Sequence, residues 1–248
     1  MKLIVLGSSS RGNCYVLKPD SGKYLVVECG VKLAKLKAAV NFNVRDCAGI
    51  LISHEHADHA GAAEQAMRSC LPIWTSEGTA SAIGTDIDPY GMHIMKPLMR
   101  YEIDDFVVCP FPIEHDAAEP FGFIIDHPES GRILFATDTA FLPHKFTGLN
   151  NIMIECNYRT DILNANVRSG KIRKPVRDRI IGSHMSFQTC RDTLIENDLS
   201  AVVNIVLIHL SSDNSDAEEF RRGIAGATNK NVVIARPGTE IEFNNQPF

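Results

Sequence analysis

The chain has 248 residues, a net charge of −5 and 44% hydrophobic residues, the size and balance of an ordinary globular protein. The acidic balance excludes a uniformly basic, nucleic-acid-coating surface, and leaves room only for a local basic patch. No apolar run approaches the ~20 residues of a membrane span, and the opening MKLIVLGSSS is too short in apolar residues for a signal peptide. Seven cysteines (14, 29, 47, 70, 109, 156 and 190) are scattered without a CxxC pair. They read as reduced thiols of a cytoplasmic protein, not a disulfide framework.

Along the chain, Lys2–Leu6, Cys14–Leu17 and Tyr24–Glu28 read as strands, with Pro19-Asp20-Ser21-Gly22 turning between the last two. Val31–Val40 has helical spacing, Gly49–Ser53 reads as a buried strand, and Ala-rich Gly61–Ser69 as a helix. Phe106–Ile113, Phe121–Asp126, Arg132–Ala136 and Asn151–Cys156 follow as strands. Arg168–Arg179 carries six positive charges and one negative, and reads as a basic loop. Ser186 is placed to cap a helix over Phe187–Asn197. Val202–Leu207 is a β-branched strand, Asp216–Thr228 a helix, and Val232–Ile234 and Glu240–Phe243 closing strands. With no repeat, low-complexity segment or linker, residues 1–248 are expected to form a single domain.

The strongest chemical signal is SHEHADHAG, Ser53 to Gly61, directly after a buried strand. His54, His56, Asp58 and His59 offer the imidazole and carboxylate donors that a borderline cation such as zinc accepts. In an extended loop His54 and His56 point to one side, while Asp58 and His59 face a neighbouring position as a helix begins. Four hydrogen-bonded surface residues would be the bland account, and that density leaves it little room.

HxHxDH after a strand resembles the signature of the metallo-β-lactamase superfamily. The resemblance implies an α/β (α+β) fold, the four-layer αββα sandwich, with one or two metals at the sheet edges. It calls for three further ligands, and IEHDAAEPFGF, RILFATDTA and VLIHLSSDN supply His115, Asp138 and His209. By resemblance, His54, His56 and His115 hold one ion, Asp58, His59 and His209 hold the other, and Asp138 bridges them. Glu28 stands where the superfamily commonly has Asp, and is expected to support a ligand histidine. The implied cofactors are two divalent ions, zinc, manganese or iron. Two such ions ~3.5–4 Å apart supply a nucleophile at neutral pH and stabilise charge on an attacked phosphoryl or acyl group. The reaction class is hydrolysis.

Finer motifs narrow the substrate. LGSSSRGNCYVL, EHDAAEPFGFII, ATDTA, IECNY and the pair SHMS and HLSSDN resemble the YycJ/WalJ group of 5′→3′ DNA exonucleases. Cys156, Ser183 and Phe187 stand where that group usually has Ser, Gly and Asn. The resemblance implies a phosphodiesterase with DNA as partner, and leaves oligomeric state open. Gly182-Ser183-His184-Met185 spells the remnant of a cleaved tag, yet lies deep inside the chain. Phosphodiesterase relatives place a proton-donating His, working with an acidic residue, between the bridging Asp and the last metal His. That makes His184, with Glu155 at the end of the preceding strand, the candidate general acid beside Asp58. Arg173, Lys174 and Arg177 are candidates to track a phosphate backbone. Ser8, Ser9, Ser10, Asn13 and Asn157 are candidates to contact substrate. A small or cyclic nucleotide phosphodiesterase, a thioester or lactone hydrolase of glyoxalase II type, and a non-catalytic nucleic-acid-binding module remain the alternatives.

Overall fold

The structure is a computed structural model and describes residues 1–84 and 91–246. The first half runs β1 (Lys2–Gly7), β2 (Cys14–Lys18), β3 (Tyr24–Val27), α1 (Leu33–Ala39), β4 (Cys47–Leu51), α2 (Ala57–Ala60), α3 (Ala63–Arg68), β5 (Ile73–Thr75), α4 (Glu77–Ile83) and β6 (Met92–Ile94). The second runs β7 (Tyr101–Ile103), β8 (Phe106–Pro112), β9 (Phe121–His127), β10 (Gly131–Ala136), β11 (Leu149–Glu155), α5 (Thr160–Arg168), α6 (Lys174–Ser183), α7 (Phe187–Glu196), β12 (Asn204–Ile208), α8 (Ala217–Thr228), β13 (Asn231–Ile234) and β14 (Glu240–Glu242). The strands form two sheets, ordered β14-β1-β2-β3-β4-β5-β6 and β13-β12-β11-β10-β9-β8-β7.

Alternation along each strand builds the layers. Leu25 and Val27 of β3 join Phe123, Phe135, Met153 and Val206 of the other sheet in a shared core. Their neighbours Tyr24 and Val26 face outward under Leu36 of α1 and Ala63 and Ala66 of α3. On the second sheet, Leu134, Ile152 and Leu207 face outward under Cys190 and Leu194 of α7 and Phe220 and Ile224 of α8. Each sheet is therefore apolar on both faces, and the result is the four-layer αββα sandwich.

β3 to β6 run parallel, as do β10 to β13. Their carboxyl ends meet at one edge, where Phe121 N–H donates to Ser53 O across the two sheets at 3.0 Å. The opposite ends of β11, β12 and β13 carry an asparagine ladder, buried at Asn151 and Asn204. Asn231 donates to Asn204 at 2.7 Å, Asn204 to Asn151 at 2.9 Å, and Asn151 to the carbonyls of Ser130 and Asn244 at 3.0 Å. Asn204 also donates to Glu242 O at 3.0 Å, tying β14 of the first sheet to the second.

The expected basic loop at 168–179 is largely helix. Arg168 ends α5, and α6 opens at Lys174 with Pro175 in its first turn, where a missing N–H is harmless. The helix expected at 61–69 is found as α3, and α2, α4, α5, β5, β6 and β7 join the expected elements. No helix among the described residues is long and apolar enough to cross a membrane.

Candidate metal centre

The seven predicted ligands sit at the carboxyl edge of the sheets. His54 follows β4, with Nδ1 2.8 Å from Ser53 Oγ. His56 precedes α2, and α2 carries Asp58 and His59. The backbone of α2 is pinned from outside: Asn13 N–H donates to Asp58 O and Cys29 N–H to His59 O, both at 2.7 Å. His115 follows β8, Asp138 follows β10 and His209 follows β12. Glu28, Asp138 and His209 have φ of 68°, 48° and 51°. Left-handed backbone is uncommon for such residues and collects at functional sites.

Three donor groups result, in each of which one ligand atom per residue lies within 4.8 Å of the others: His54, His56, His115 and Asp138; Asp58, His59, Asp138 and His209; and Asp138, Glu155, His184 and His209. Asp138 belongs to all three. Its Oδ2 lies 3.8 Å from His54 Nε2, 3.3 Å from His59 Nε2 and 3.6 Å from His115 Nε2, and its Oδ1 lies against His209 Nδ1. Asp58 Oδ2 lies 3.3 Å from His59 Nε2 and 3.5 Å from His209 Nε2. All seven sequence-predicted ligands are thus brought together.

The electrostatics fit a bound cation. His115 donates through Nδ1 to Ser183 O at 2.9 Å, which leaves a lone pair on Nε2. That nitrogen lies 3.3 Å from His56 Nδ1, which lies 3.1 Å from His54 Nε2. Burial lowers both His54 and His115 below the ordinary histidine range, so uncharged rings converge on one point. Burial would likewise lower His59 and His209, but the surrounding carboxylates, Asp138 foremost, together outweigh it and push both up. The carboxylates at this edge call for positive charge. His59 Nδ1, both ring nitrogens of His209 and Glu28 Oε1 are buried without a hydrogen-bond partner among the described residues. Buried polar groups normally find partners, and this imidazole and carboxylate set is what a divalent metal takes. Glu28 Oε2 faces His59 Nδ1 at 3.5 Å.

Beside this cluster, Glu155 is fully buried and receives His184 Nδ1 at 2.7 Å, Met185 N–H at 2.9 Å and Thr139 N–H at 3.2 Å. Burial would raise its carboxyl, but the His184 charge and hydrogen bond hold it below the usual range. Burial would lower His184, but Glu155, with Asp138 beside it, outweighs this and raises it. The His184 ring stands 5.5 Å from His115 and 5.4 Å from His209, and reaches a pocket of about 230 Å³ that the cluster lines.

The predicted substrate contacts separate. Ser10 and Asn157 line the pocket, and Asn157 also donates to His209 O at 2.8 Å. Ser8 is buried, accepting from His209 N–H at 3.0 Å and from Tyr15 at 2.9 Å. Ser9 Oγ accepts from Arg11 N–H at 3.3 Å. Asn13 lies 3.1 Å from His59 Nε2 and reaches Asp58. Arg173 and Lys174 open α6 away from the pocket lining, and Arg177 turns to Asn164 and Asp178. Arg179 and Ser211 line the pocket instead. Neither stood out in sequence, although Pro175 as a helix opener places Arg179 one turn before Ser183.

The sequence matches the family described as a beta-lactamase superfamily domain across residues 24–194. It is 28% identical over 232 residues to the exodeoxyribonuclease WalJ of Streptococcus pneumoniae, covering 88% of this chain and 84% of that protein. It is 28% identical over 235 residues to the exodeoxyribonuclease YycJ of Bacillus anthracis, covering 89% and 86%. The crystal structure of the metallo-beta-lactamase fold protein YhfI from Bacillus subtilis matches with a TM-score of 0.74 at 15% identity, covering 97% of this chain and 99% of that one. The edge-on cluster of seven donors, the αββα layers and these matches agree: the chain belongs to the metallo-β-lactamase superfamily and is a metal-dependent hydrolase.

Proposed function

We propose that this hydrolase is a two-metal phosphodiesterase that degrades DNA from its ends in the cytoplasm. His54, His56 and His115 would hold one ion and Asp58, His59 and His209 the other, with Asp138 shared; zinc, manganese and iron all suit these donors. Bound there, the ions would supply a nucleophile at neutral pH and draw charge off the attacked phosphoryl group.

The observation that carries the phosphodiesterase reading is the Glu155–His184 pair at 2.7 Å beside the cluster. A departing sugar alkoxide needs a proton, whereas a departing thiolate does not. Glu155 accepts from Nδ1–H of His184 and favours its protonated form, in which Nε2–H would face the leaving oxygen. The two exodeoxyribonuclease relatives favour DNA. Arg173, Lys174 and Arg177 on the first turn of α6 would follow the backbone beyond the pocket, while Ser10 and Asn157 contact substrate within it.

The test is protein reconstituted separately with zinc, manganese and iron, assayed on 5′- and 3′-labelled single- and double-stranded DNA and RNA. Stepwise shortening of DNA is expected. Thioester or lactone turnover with no cleavage of either nucleic acid overturns the reading.

A further inference from the structure

We propose that Arg179 is a specificity-determining residue of this site, gripping the phosphate next to the one being cleaved, with Asp116 holding it ready at the pocket mouth. The inference rests on the phosphodiesterase reading above and names what that site selects: a chain of phosphates in preference to a lone phosphodiester.

Arg179 lines the same pocket as His56, His115, Asp138 and His184. Its Nε donates to Asp116 Oδ2 at 2.7 Å, and the other oxygen of Asp116 lies 3.3 Å from His115 Nε2. One carboxylate therefore separates the guanidinium from a candidate metal ligand. The backbone that carries Arg179 is registered to the same ligand. Ser183 Oγ donates to Arg179 O at 2.7 Å, and Ser183 O accepts from His115 Nδ1 at 2.9 Å. The last turn of α6 and the metal-edge loop thus hold a fixed spacing.

The ion pair does little for the fold. The side chains of Arg179 and Asp116 are 62% and 43% exposed, and pairs this exposed contribute little to stability. It acts instead on orientation. Arg179 donates to Asp116 through Nε alone, and its two terminal nitrogens make no hydrogen bond among the described residues. A guanidinium with its terminal fork free is matched to two phosphate oxygens. The scissile phosphate would be enclosed by the seven donors and His184 at the pocket floor. Arg179 stands outside that ring and on the exposed rim, where the following phosphate of a polynucleotide passes.

The test compares metal-loaded wild type, Arg179→Ala and Arg179→Lys on a DNA oligonucleotide and on bis(p-nitrophenyl) phosphate, which has only the scissile phosphate. In Arg179→Ala the ratio of kcat/KM for oligonucleotide over small diester is expected to fall about ten- to a hundredfold, the worth of hydrogen bonds to a charged group, mainly through KM. Arg179→Lys is expected to recover part of it, keeping the charge without the fork. A parallel titration of the three proteins with thymidine 3′,5′-bisphosphate and inorganic phosphate gives a readout independent of turnover. Wild type is expected to prefer the bisphosphate, and Arg179→Ala to bind the two alike. An unchanged kcat/KM ratio together with an unchanged bisphosphate preference overturns the role of Arg179. A wild type that cuts no oligonucleotide, while Arg179→Ala still loses the bisphosphate preference, defeats the nuclease reading and leaves Arg179 as a phosphate-gripping residue.

Discussion

The two ends of the sandwich treat their buried polar side chains in opposite ways. At the amino ends of β11 to β13, Asn151, Asn204 and Asn231 pass hydrogen bonds from strand to strand and out to the carbonyls of Ser130, Glu242 and Asn244. At the carboxyl edge, His59, His209 and Glu28 keep buried atoms with no hydrogen bond, on backbones in the left-handed region at Glu28 and His209. A satisfied buried network stabilises a unique core, and an unsatisfied one is costly unless a ligand completes it. The ladder is a fastening, and the cluster is an appetite for cations.

Removing metal tests that contrast hardest. A chelator is expected to abolish hydrolysis and lower Tm. At metal a thousandfold above its dissociation constant the linkage is about 4 kcal/mol, roughly 8–16 °C in a chain of this size. Scanning fluorimetry with and without chelator measures it, and an unmoved Tm would mean that the cluster does not need a cation. Next comes Asp138→Ala, which removes the donor common to all three groups. Losing several kcal/mol of transition-state stabilisation, it is expected to cost more than a thousandfold in kcat/KM and to lower the metal content seen by elemental analysis. His184→Ala is expected to keep both ions and lose about 10²–10⁴ in rate; if the ions leave as well, His184 belongs among the ligands. The smallest change lies at the other end. Asn204→Ala is expected to lower stability by about 1–3 kcal/mol by stranding buried partners, seen in urea unfolding, with metal content and kcat at wild-type values.

Much of this was legible in sequence because the site is written at strand ends. HxHxDH follows β4, and His115, Asp138 and His209 each follow a strand whose apolar pattern is plain. The outer strands β5, β6 and β7 have three residues each, too few for a period of two to show. α6 was obscured because its exposed face is crowded with Lys174, Arg177 and Arg179, with only Val176, Ile180 and Ile181 as large apolar residues. Charge density there imitates a solvated loop, and Pro175 imitates a breaker when it is an opener. The place of Ser8 was hidden for another reason. Its bond to His209 N–H joins residues 201 apart, and no local pattern encodes that.

That distance also sets a timetable. His209 follows His54 by 155 residues, so at about 5–20 residues per second of synthesis the first histidines emerge roughly 8–30 s before the last. β1 must wait still longer for β14, its neighbour at the sheet edge, and such distant pairings form slowly. Until His209 emerges, the donor group of Asp58, His59, Asp138 and His209 lacks a member. Completion of that second group is therefore a late step of folding, and full metal loading would certify a finished molecule.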